Sequence, residues 1–313
     1  MPGYRSRLRL VLLSALVLFV SFLPAAAPSY AATVRQSKPL PPEITAKAAI
    51  VVEYPSGRIL YQKDAHTRLA PASTTKLLTA IMALEYGNLD EEVVVAPTDL
   101  VRGSKMGLRN GERQTMRNLL YGLMLPSGND AAMTIARHLD EQAGSSAAGN
   151  DPVSRFSSMM NARATGLGLR DTHFVNPHGL DKKDHYSSAY DLASLTWHAM
   201  HYPLFNQIVR RPNYDAPGHP LKNLNKLIGE YPGADGVKTG YTRRAGLCLV
   251  SSATRNGKRV IAVVLNAPKW VEDSTALLDY GFASLAMQPR QTGAPKLDIA
   301  KRPTSTTYLA RWD

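Results

Sequence analysis

Apolar residues along the chain follow two different periods, one typical of strands and one typical of helices. Near the beginning, Ala48–Tyr54 and Arg58–Gln62 are strand patterns joined by a Pro-Ser-Gly turn, which predicts a hairpin. Near the end, Gly246–Ala253 and Arg259–Asn266 are two further strand patterns, and Asn256-Gly257 between them is a strong signal for a tight turn. We therefore expect one hairpin at each end of the folded region.

Between the hairpins, apolar positions recur at the spacing of helices that bury one face. This spacing predicts helices at about 73–86, 115–125, 130–142, 152–165 and 188–201, and a last amphipathic helix at 272–285. Hairpins separated by helices predict an α/β (α+β) fold, because strands distant in sequence must then share one antiparallel sheet. Helices flank this sheet, and an all-helical lobe is inserted between its two halves.

Residues 1–31 have the pattern of a secretory signal peptide. Three arginines precede an apolar run from Leu10 to Leu23, and Ser29-Tyr30-Ala31 is a small-x-small cleavage signal. A membrane span needs about 20 apolar residues, so the run favours a cleaved leader over an uncleaved anchor. We expect the protein to be secreted across the cytoplasmic membrane, into the periplasm or the cell-wall space.

The rest of the chain divides into three segments by composition. Residues 32–43 contain three prolines, which predicts a linker. Residues 44–286 carry the periodic patterns and form the predicted domain. Residues 287–313 are rich in Pro, Thr, Lys and Arg without any periodicity, which predicts a flexible basic tail.

Composition limits the classes of function. The chain has 313 residues, 44% of them apolar, which is enough for a full hydrophobic core. A net charge of +12 suits an acidic polymer or an anionic membrane face. No dense Lys/Arg run is interleaved with aromatic residues, so no nucleic-acid partner is expected. Cys248 is the only cysteine, so no intramolecular disulfide can form. The apolar neighbours of Cys248 predict that its side chain is buried.

Candidate chemistry is concentrated in the segment Pro71–Ala80. Ser73 stands at a predicted helix start, and Lys76 follows three residues later on the same helix face, within reach of the serine hydroxyl. Apolar residues surround Lys76, which predicts burial and a lowered lysine pKa. A neutral lysine beside a serine can serve as general base for an acyl-transfer nucleophile. The S-x-x-K pattern also occurs by chance at ordinary helix starts, so it needs supporting partners.

Two further motifs supply such partners. Ser127-Gly128-Asn129 lies on a tight link between two helices, and Lys238-Thr239-Gly240 lies at the edge of a strand. Each motif is weak alone, because Asn129 or Asp130 can simply cap the next helix and a strand-end lysine is usually solvated. The three motifs in this order, each on a suitable element, are typical of penicillin-binding proteins and class A β-lactamases.

From Ala48 to Phe282 the chain resembles the low-molecular-mass serine D-alanyl-D-alanine carboxypeptidases, a group of penicillin-binding proteins. The middle motif is S-G-N, as in that group, rather than S-D-N. The resemblance implies a β-lactamase/transpeptidase-like fold, peptidoglycan stem peptides as substrates, β-lactams as inhibitors, and neither a cofactor nor a metal. It extends over LAPASTTK at 69–76, LPSGNDAA at 125–132, FVNPHGL at 174–180 and ADGVKTGYT at 234–242.

The resemblance implies a role for each residue of the first two motifs. Ser73 would attack the carbonyl between two terminal D-alanines, and Lys76 would take the serine proton. Ser127 would relay a proton to the leaving amine, while Asn129 would orient Lys76 and bind the substrate amide.

The resemblance assigns substrate binding to the third motif. Lys238 would place positive charge near the terminal carboxylate, Thr239 would add a hydroxyl donor, and Gly240 completes the motif. The backbone N–H groups of Ser73 and Tyr241 would form an oxyanion hole, which stabilises charge that develops only in the transition state.

Three other functions stay open on these residues. A D,D-endopeptidase would cut peptidoglycan cross-links with the same site. A class A β-lactamase requires a glutamate on a loop between the second and third motifs, where Glu141 lies inside a predicted helix and Glu230 lies just before the third motif. A non-catalytic peptidoglycan-binding or β-lactam-sensing protein would not depend on the Ser73 hydroxyl.

Two details qualify the resemblance. The lysine base makes a Ser–His pair unnecessary, so we expect a structural role for His178. Family members often carry an arginine before the last helix that helps to hold the terminal carboxylate. Residues 268–272 contain no arginine, which leaves carboxylate binding to Lys238 with Arg243 or Arg244.

Overall fold

Both predicted hairpins lie in one five-stranded antiparallel sheet, which confirms the fold class expected from the sequence. The computed structural model describes residues 39–144, 151–287 and 294–298, so the predicted signal peptide and most of the linker lie outside the described residues. The strands are β1 (Ala48–Tyr54), β2 (Ile59–Lys63), β3 (Glu92–Val94), β4 (Arg113–Thr115), β5 (Asn213–Ala216), β6 (His219–Lys222), β7 (Ala234–Thr242), β8 (Gly246–Arg255) and β9 (Lys258–Leu265). The large sheet has the order β2–β1–β9–β8–β7, while β3–β4 and β5–β6 form two small separate pairs.

The first and last hairpins meet where β1 pairs with β9. Ile50 lies opposite Val263 and Val52 lies opposite Ile261, and all four side chains are buried. Strands covered on both faces are near-continuous apolar runs instead of alternating ones. This explains why the sequence of β1 and β9 is apolar at successive positions.

Helices cover both faces of the sheet. One face packs against α7 through residues such as Leu277 and Leu278, and the other packs against α5, which in turn contacts α1. In the described part of the chain, no helix has both the length and the apolar character needed to cross a membrane. The helices are α1 (Lys76–Tyr86), α2 (Met116–Met124), α3 (Asn129–Gln142), α4 (Pro152–Gly166), α5 (Ala189–Ala199), α6 (Pro203–Val209) and α7 (Trp270–Met287).

Some elements differ from the sequence prediction. Strand β7 begins at Ala234, inside a stretch whose glycines predict turns, because its residues pair with β8 almost along their whole length. Helix α6 and the hairpin β5–β6 are not predicted by the periodicity. Cys248 is fully buried, as predicted.

Part of the predicted flexible tail packs against the domain. The Ile59 N–H donates to Pro295 O at 2.8 Å, and the Leu297 N–H donates to Gly57 O at 2.9 Å. The Leu297 side chain is only 6% exposed and joins the main core. For residues 294–298 the structure therefore corrects the prediction of a flexible tail, because one apolar side chain and two backbone bonds fix them beside β2.

Candidate active site

Ser73 lies in a short 3₁₀ helix, Ala72–Thr75, that leads directly into α1. The sequence predicts a helix start near Ser73, and the structure differs from this only in the tighter first turn. Ala72 has a φ of +49°, a left-handed conformation that is uncommon for residues other than glycine. Thr75 Oγ1 donates to the Ala72 carbonyl at 2.9 Å, which helps to hold this strained residue next to the serine.

Lys76 is fully buried, and its amine contacts three oxygen atoms. The Nζ atom lies 3.0 Å from Ser73 Oγ, 2.7 Å from Asn129 Oδ1 and 2.7 Å from the main-chain oxygen of His178. Burial, together with the positive charge of Lys238, holds the pKa of Lys76 well below its ordinary value. The structure therefore favours a neutral amine at this position.

A neutral Lys76 amine fits its three contacts well. Such an amine has two N–H donors and one lone pair, and the two shorter contacts, to Asn129 Oδ1 and His178 O, take the donors. The lone pair is then left for Ser73 Oγ, so the serine hydroxyl, which also lies 3.5 Å from His178 O, can donate to the lysine nitrogen. Such an arrangement suits a general base, because the serine proton can move to a lysine nitrogen that already lies within hydrogen-bond distance.

Asn129 is the first residue of α3, and its side-chain amide is held at both ends. Its Oδ1 accepts from Lys76, and its Nδ2 donates to the Arg102 carbonyl at 2.8 Å. The Asn129 backbone N–H also donates to Ser104 O at 2.8 Å. These bonds fix which amide atom faces the lysine, so the Asn129 oxygen accepts and a neutral Lys76 amine can keep its lone pair for Ser73.

Asp130 does not act as the helix cap that the sequence suggests. Gly128 takes the cap position, and no side chain caps the helix. The buried Asp130 carboxylate accepts the Ala131 N–H of the helix at 2.9 Å. It also accepts the N–H groups of a neighbouring loop, from Met106 and Gly107 at 2.8 Å each and from Leu108 at 3.1 Å. The carboxylate therefore organises the loop that follows Ser104, a function that no short motif indicates.

Ser127 is buried on the turn before α3 and has a φ of +64°. Its Oγ makes no hydrogen bond to any residue that the structure describes. A buried hydroxyl is normally paired, so this one is suited to bind a substrate atom.

The third motif lies on β7, an edge strand of the large sheet whose neighbour on one side is β8. Lys238 is 1% exposed, and burial lowers the pKa of its amine to about 7. Its charge also contributes to the lowered pKa of Lys76, so the two amines lie close enough to interact. Burial lowers the pKa of both amines, and a charge on one of them disfavours a charge on the other.

The absence of a side chain at Gly240 lets β7 approach Ser73. A Cβ at this position would lie 3.0 Å from the Ser73 backbone nitrogen and 3.1 Å from the Ala72 Cβ. The Ser73 N–H therefore lies against the strand that carries the Tyr241 N–H. The Tyr241 side chain is 65% exposed and points away from the core.

His178 contributes its backbone to the cluster. Its ring Nδ1 accepts the Leu180 N–H at 3.2 Å, and burial is the main cause that lowers the pKa of His178 to about 3. The ring is therefore neutral, in line with the expected structural role. Its main-chain oxygen, which the sequence could not single out, is the atom that contacts Lys76.

The two arginines after β7 differ in their contacts. Arg244 donates from Nη1 to Lys182 O at 3.2 Å, and its backbone N–H donates to Asp181 Oδ2 at 3.2 Å. Thr242 Oγ1 donates to the other Asp181 oxygen at 2.7 Å. Arg243 is exposed at the same turn. Arg243 is therefore the freer of the two cations to meet a substrate.

Neither candidate glutamate of the β-lactamase alternative contacts Ser73 or Lys76. Glu141 pairs with Arg137 at 2.9 Å, and Glu230 is exposed before β7. Among the described residues, no group of three or more His, Cys, Asp or Glu side chains is arranged to hold a metal ion.

Comparisons with known proteins point to one family. A family model for D-alanyl-D-alanine carboxypeptidases matches residues 33–269. A D-alanyl-D-alanine carboxypeptidase of Streptomyces sp. (strain K15) is 38% identical over 262 residues, covering 77% of this chain and 89% of that protein. One of Bacillus subtilis is 36% identical and covers 78% of this chain, which spans 64% of the length of that relative.

Solved structures give the same result. The structure of the Streptomyces K15 DD-transpeptidase has a TM-score of 0.70 and 35% identity, covering 78% of this chain and all of that one. Penicillin-binding protein D2 of Listeria monocytogenes, in its ampicillin-bound form, has a TM-score of 0.68 and 30% identity, covering 77% of this chain. Similarity of sequence and fold thus spans the strands and helices that carry the three motifs.

Proposed function

The chain belongs to the D-alanyl-D-alanine carboxypeptidase family of serine peptidases, and we propose that it removes the terminal D-alanine from peptidoglycan stem peptides. The observation that carries this proposal is the Lys76 amine, buried between Ser73 Oγ, Asn129 Oδ1 and His178 O. This arrangement gives a serine hydroxyl a neutral base, which acyl transfer to a peptide carbonyl requires.

The first step forms an acyl-enzyme. Ser73 Oγ attacks the carbonyl carbon between the two D-alanines while its proton passes to the Lys76 nitrogen. The carbonyl oxygen becomes negative, and the N–H groups of Ser73 and Tyr241 donate to it. Each such donor typically contributes about 3 kcal/mol to transition-state stability.

The C–N bond then breaks, and the leaving amine needs a proton. Ser127 relays this proton, which originates from Lys76, and free D-alanine departs. A water molecule next attacks the ester carbonyl and gives a proton to Lys76. Cleavage of the ester returns the proton to Ser73 Oγ, so the enzyme ends in its starting state.

Substrate binding uses the exposed edge of β7. An extended peptide can add to a free strand edge through main-chain hydrogen bonds. The terminal carboxylate lies near Lys238, where the Thr239 hydroxyl donates to it and Arg243 adds charge. Penicillin carries a reactive carbonyl and a carboxylate, so it acylates Ser73 in the same site.

The site of action is outside the cytoplasmic membrane. The substrate of this family belongs to the cell wall, and residues 1–31 have the pattern of a cleaved leader. The basic composition supports contact with acidic polymers of the wall or with an anionic membrane face.

The test is release of D-alanine from a peptide that ends in Lys-D-Ala-D-Ala. We expect release by the native enzyme, none by Ser73→Ala, and normal release by Ser284→Ala, which removes a buried hydroxyl from α7. Equal activity of Ser73→Ala would contradict the proposal. A cross-linked muropeptide in parallel separates carboxypeptidase from endopeptidase activity, since the endopeptidase would cleave the cross-link faster than the free terminus.

A further inference from the structure

A chain of hydrogen bonds leads from His185 to the turn that holds the nucleophile. The His185 Nε2 lies 2.9 Å from Thr75 Oγ1, and Thr75 Oγ1 donates to Ala72 O at 2.9 Å. On the other side of the ring, the Val175 N–H donates to His185 Nδ1 at 3.0 Å. His185 and Thr75 are 2% and 0% exposed, so no solvent competes for these bonds.

The direction of every bond in this chain is determined. Because the Val175 N–H donates to Nδ1, that nitrogen is unprotonated, and in a neutral ring the proton lies on Nε2. Burial, with the nearby His173 and Arg244, lowers the pKa of His185 to about 4, which keeps the ring neutral at physiological pH. His185 therefore donates to Thr75 Oγ1, whose own proton is left for the Ala72 carbonyl.

This series of hydrogen bonds ends at the two segments that form the candidate active site. Ala72 precedes Ser73 and has the strained φ of +49°. Val175 begins the segment that ends at Gly179 and includes the His178 carbonyl, one of the acceptors of the Lys76 amine. One imidazole ring thus connects the turn of the nucleophile to the loop that orients its base.

We propose that His185 and Thr75 form a positioning unit that holds Ser73 Oγ in register with the Lys76 amine. The unit fixes the Ala72 carbonyl on one side and the 175–179 loop on the other. Both residues are buried, so the unit acts through Ser73 and Lys76. The proposal rests on Ser73 as the acylated nucleophile, which penicillin labelling of the native enzyme tests separately.

The experiment compares two substitutions of Thr75 with a matched control. Thr75→Val keeps the shape but loses the hydroxyl, and Thr75→Ser keeps the hydroxyl. Thr74→Val removes the neighbouring buried hydroxyl, which donates to Pro71 O at 2.6 Å and has no part in the chain. The measurements are the acylation rate by a fluorescent penicillin, kcat and KM on the peptide, and the melting temperature.

We expect Thr75→Val to acylate about 10- to 100-fold more slowly with little change in KM, because the serine is displaced relative to its base. Thr75→Ser should restore the rate. Thr74→Val should lower the melting temperature as Thr75→Val does, but it should be acylated at the rate of the native enzyme. If Thr75→Val and Thr74→Val differ from the native enzyme only in melting temperature, the unit has no positioning role and the proposal is overturned.

A double-mutant cycle tests whether His185 and Thr75 act together. His185→Ala should slow acylation about as much as Thr75→Val. The double variant should be no slower than either single variant, because each substitution alone already removes the hydrogen bond between the two residues. Multiplying defects would show two independent effects and overturn the proposal. A native enzyme that penicillin does not label would instead refute the proposed function.

Discussion

Gly179 provides a sharp test of how Ser73, the proposed nucleophile, is held in place. It has a φ of +92°, and a Cβ at this position would lie 1.9 Å from the Ala72 carbonyl oxygen and 2.9 Å from the Ser73 nitrogen. Real Cβ atoms essentially never approach another heavy atom within 3.0 Å. In Gly179→Ala the new methyl group and the Ala72 carbonyl oxygen must therefore separate by about 1.1 Å, the difference between 3.0 Å and 1.9 Å.

The expected loss of stability in Gly179→Ala has two parts. A left-handed conformation costs an alanine about 1 to 2 kcal/mol, and forcing a methyl group into a packed site costs about 1 to 3 kcal/mol more. We therefore expect Gly179→Ala to lower the free energy of unfolding by about 2 to 5 kcal/mol. A displacement of this size beside the nucleophile should also slow acylation by about 100-fold.

The assay pairs denaturant unfolding with the acylation rate by a fluorescent penicillin. Gly218→Ala is the control, because Gly218 has a φ of +76° and no described atom lies within 4 Å of the place that its new methyl group would take. This variant carries the backbone cost alone and should acylate normally. If Gly179→Ala acylates as fast as Gly218→Ala, contact with the 175–179 loop does not position Ser73, and the reasoning is refuted.

Three further results are expected. Asp130→Ala should lower the free energy of unfolding by about 3 kcal/mol, because three loop N–H groups lose their acceptor. Asp90 is exposed, so Asp90→Ala should change the free energy of unfolding little. Equal free energies of unfolding for the two variants in urea would contradict this. The value of kcat/KM for a peptide with a free C-terminal carboxylate should fall as pH rises through about 7, because Lys238 loses its charge there. A peptide with a C-terminal amide should not show this fall. The same pH profile for both peptides would refute a role of Lys238 in carboxylate binding. Leu297→Ala should cost about 2 kcal/mol without changing kcat, and an unchanged melting temperature would show that residues 294–298 add no stability.

Local patterns predicted much of the fold. The strands β1, β8 and β9 and the helices α2 to α5 lie within one or two residues of their expected positions, because each carries a continuous run of one period. The pairing of Ser73 with Lys76 is equally local, since a spacing of three residues fixes their common face. Burial of Lys76 follows from its apolar neighbours in the same helix.

The remaining features depend on contacts between distant segments. The His178 carbonyl that meets Lys76 is a main-chain atom, and no residue type marks it in the sequence. Asp130 looks like a helix cap, yet its carboxylate is used by a loop that precedes it by more than twenty residues. Strand β7 is rich in glycine, which predicts turns, and only its pairing with β8 makes it extended. The position of Leu297 likewise depends on a core site that the tail sequence does not encode.

The central claim is that a neutral Lys76 amine activates Ser73, and acylation by penicillin followed by peptide mapping tests it most directly. The account predicts a covalent label on Ser73, no label in Ser73→Ala, and about 100- to 10,000-fold slower labelling in Lys76→Met, which keeps the fold but removes the base. A label on another residue, or an undiminished rate in Lys76→Met, would contradict it.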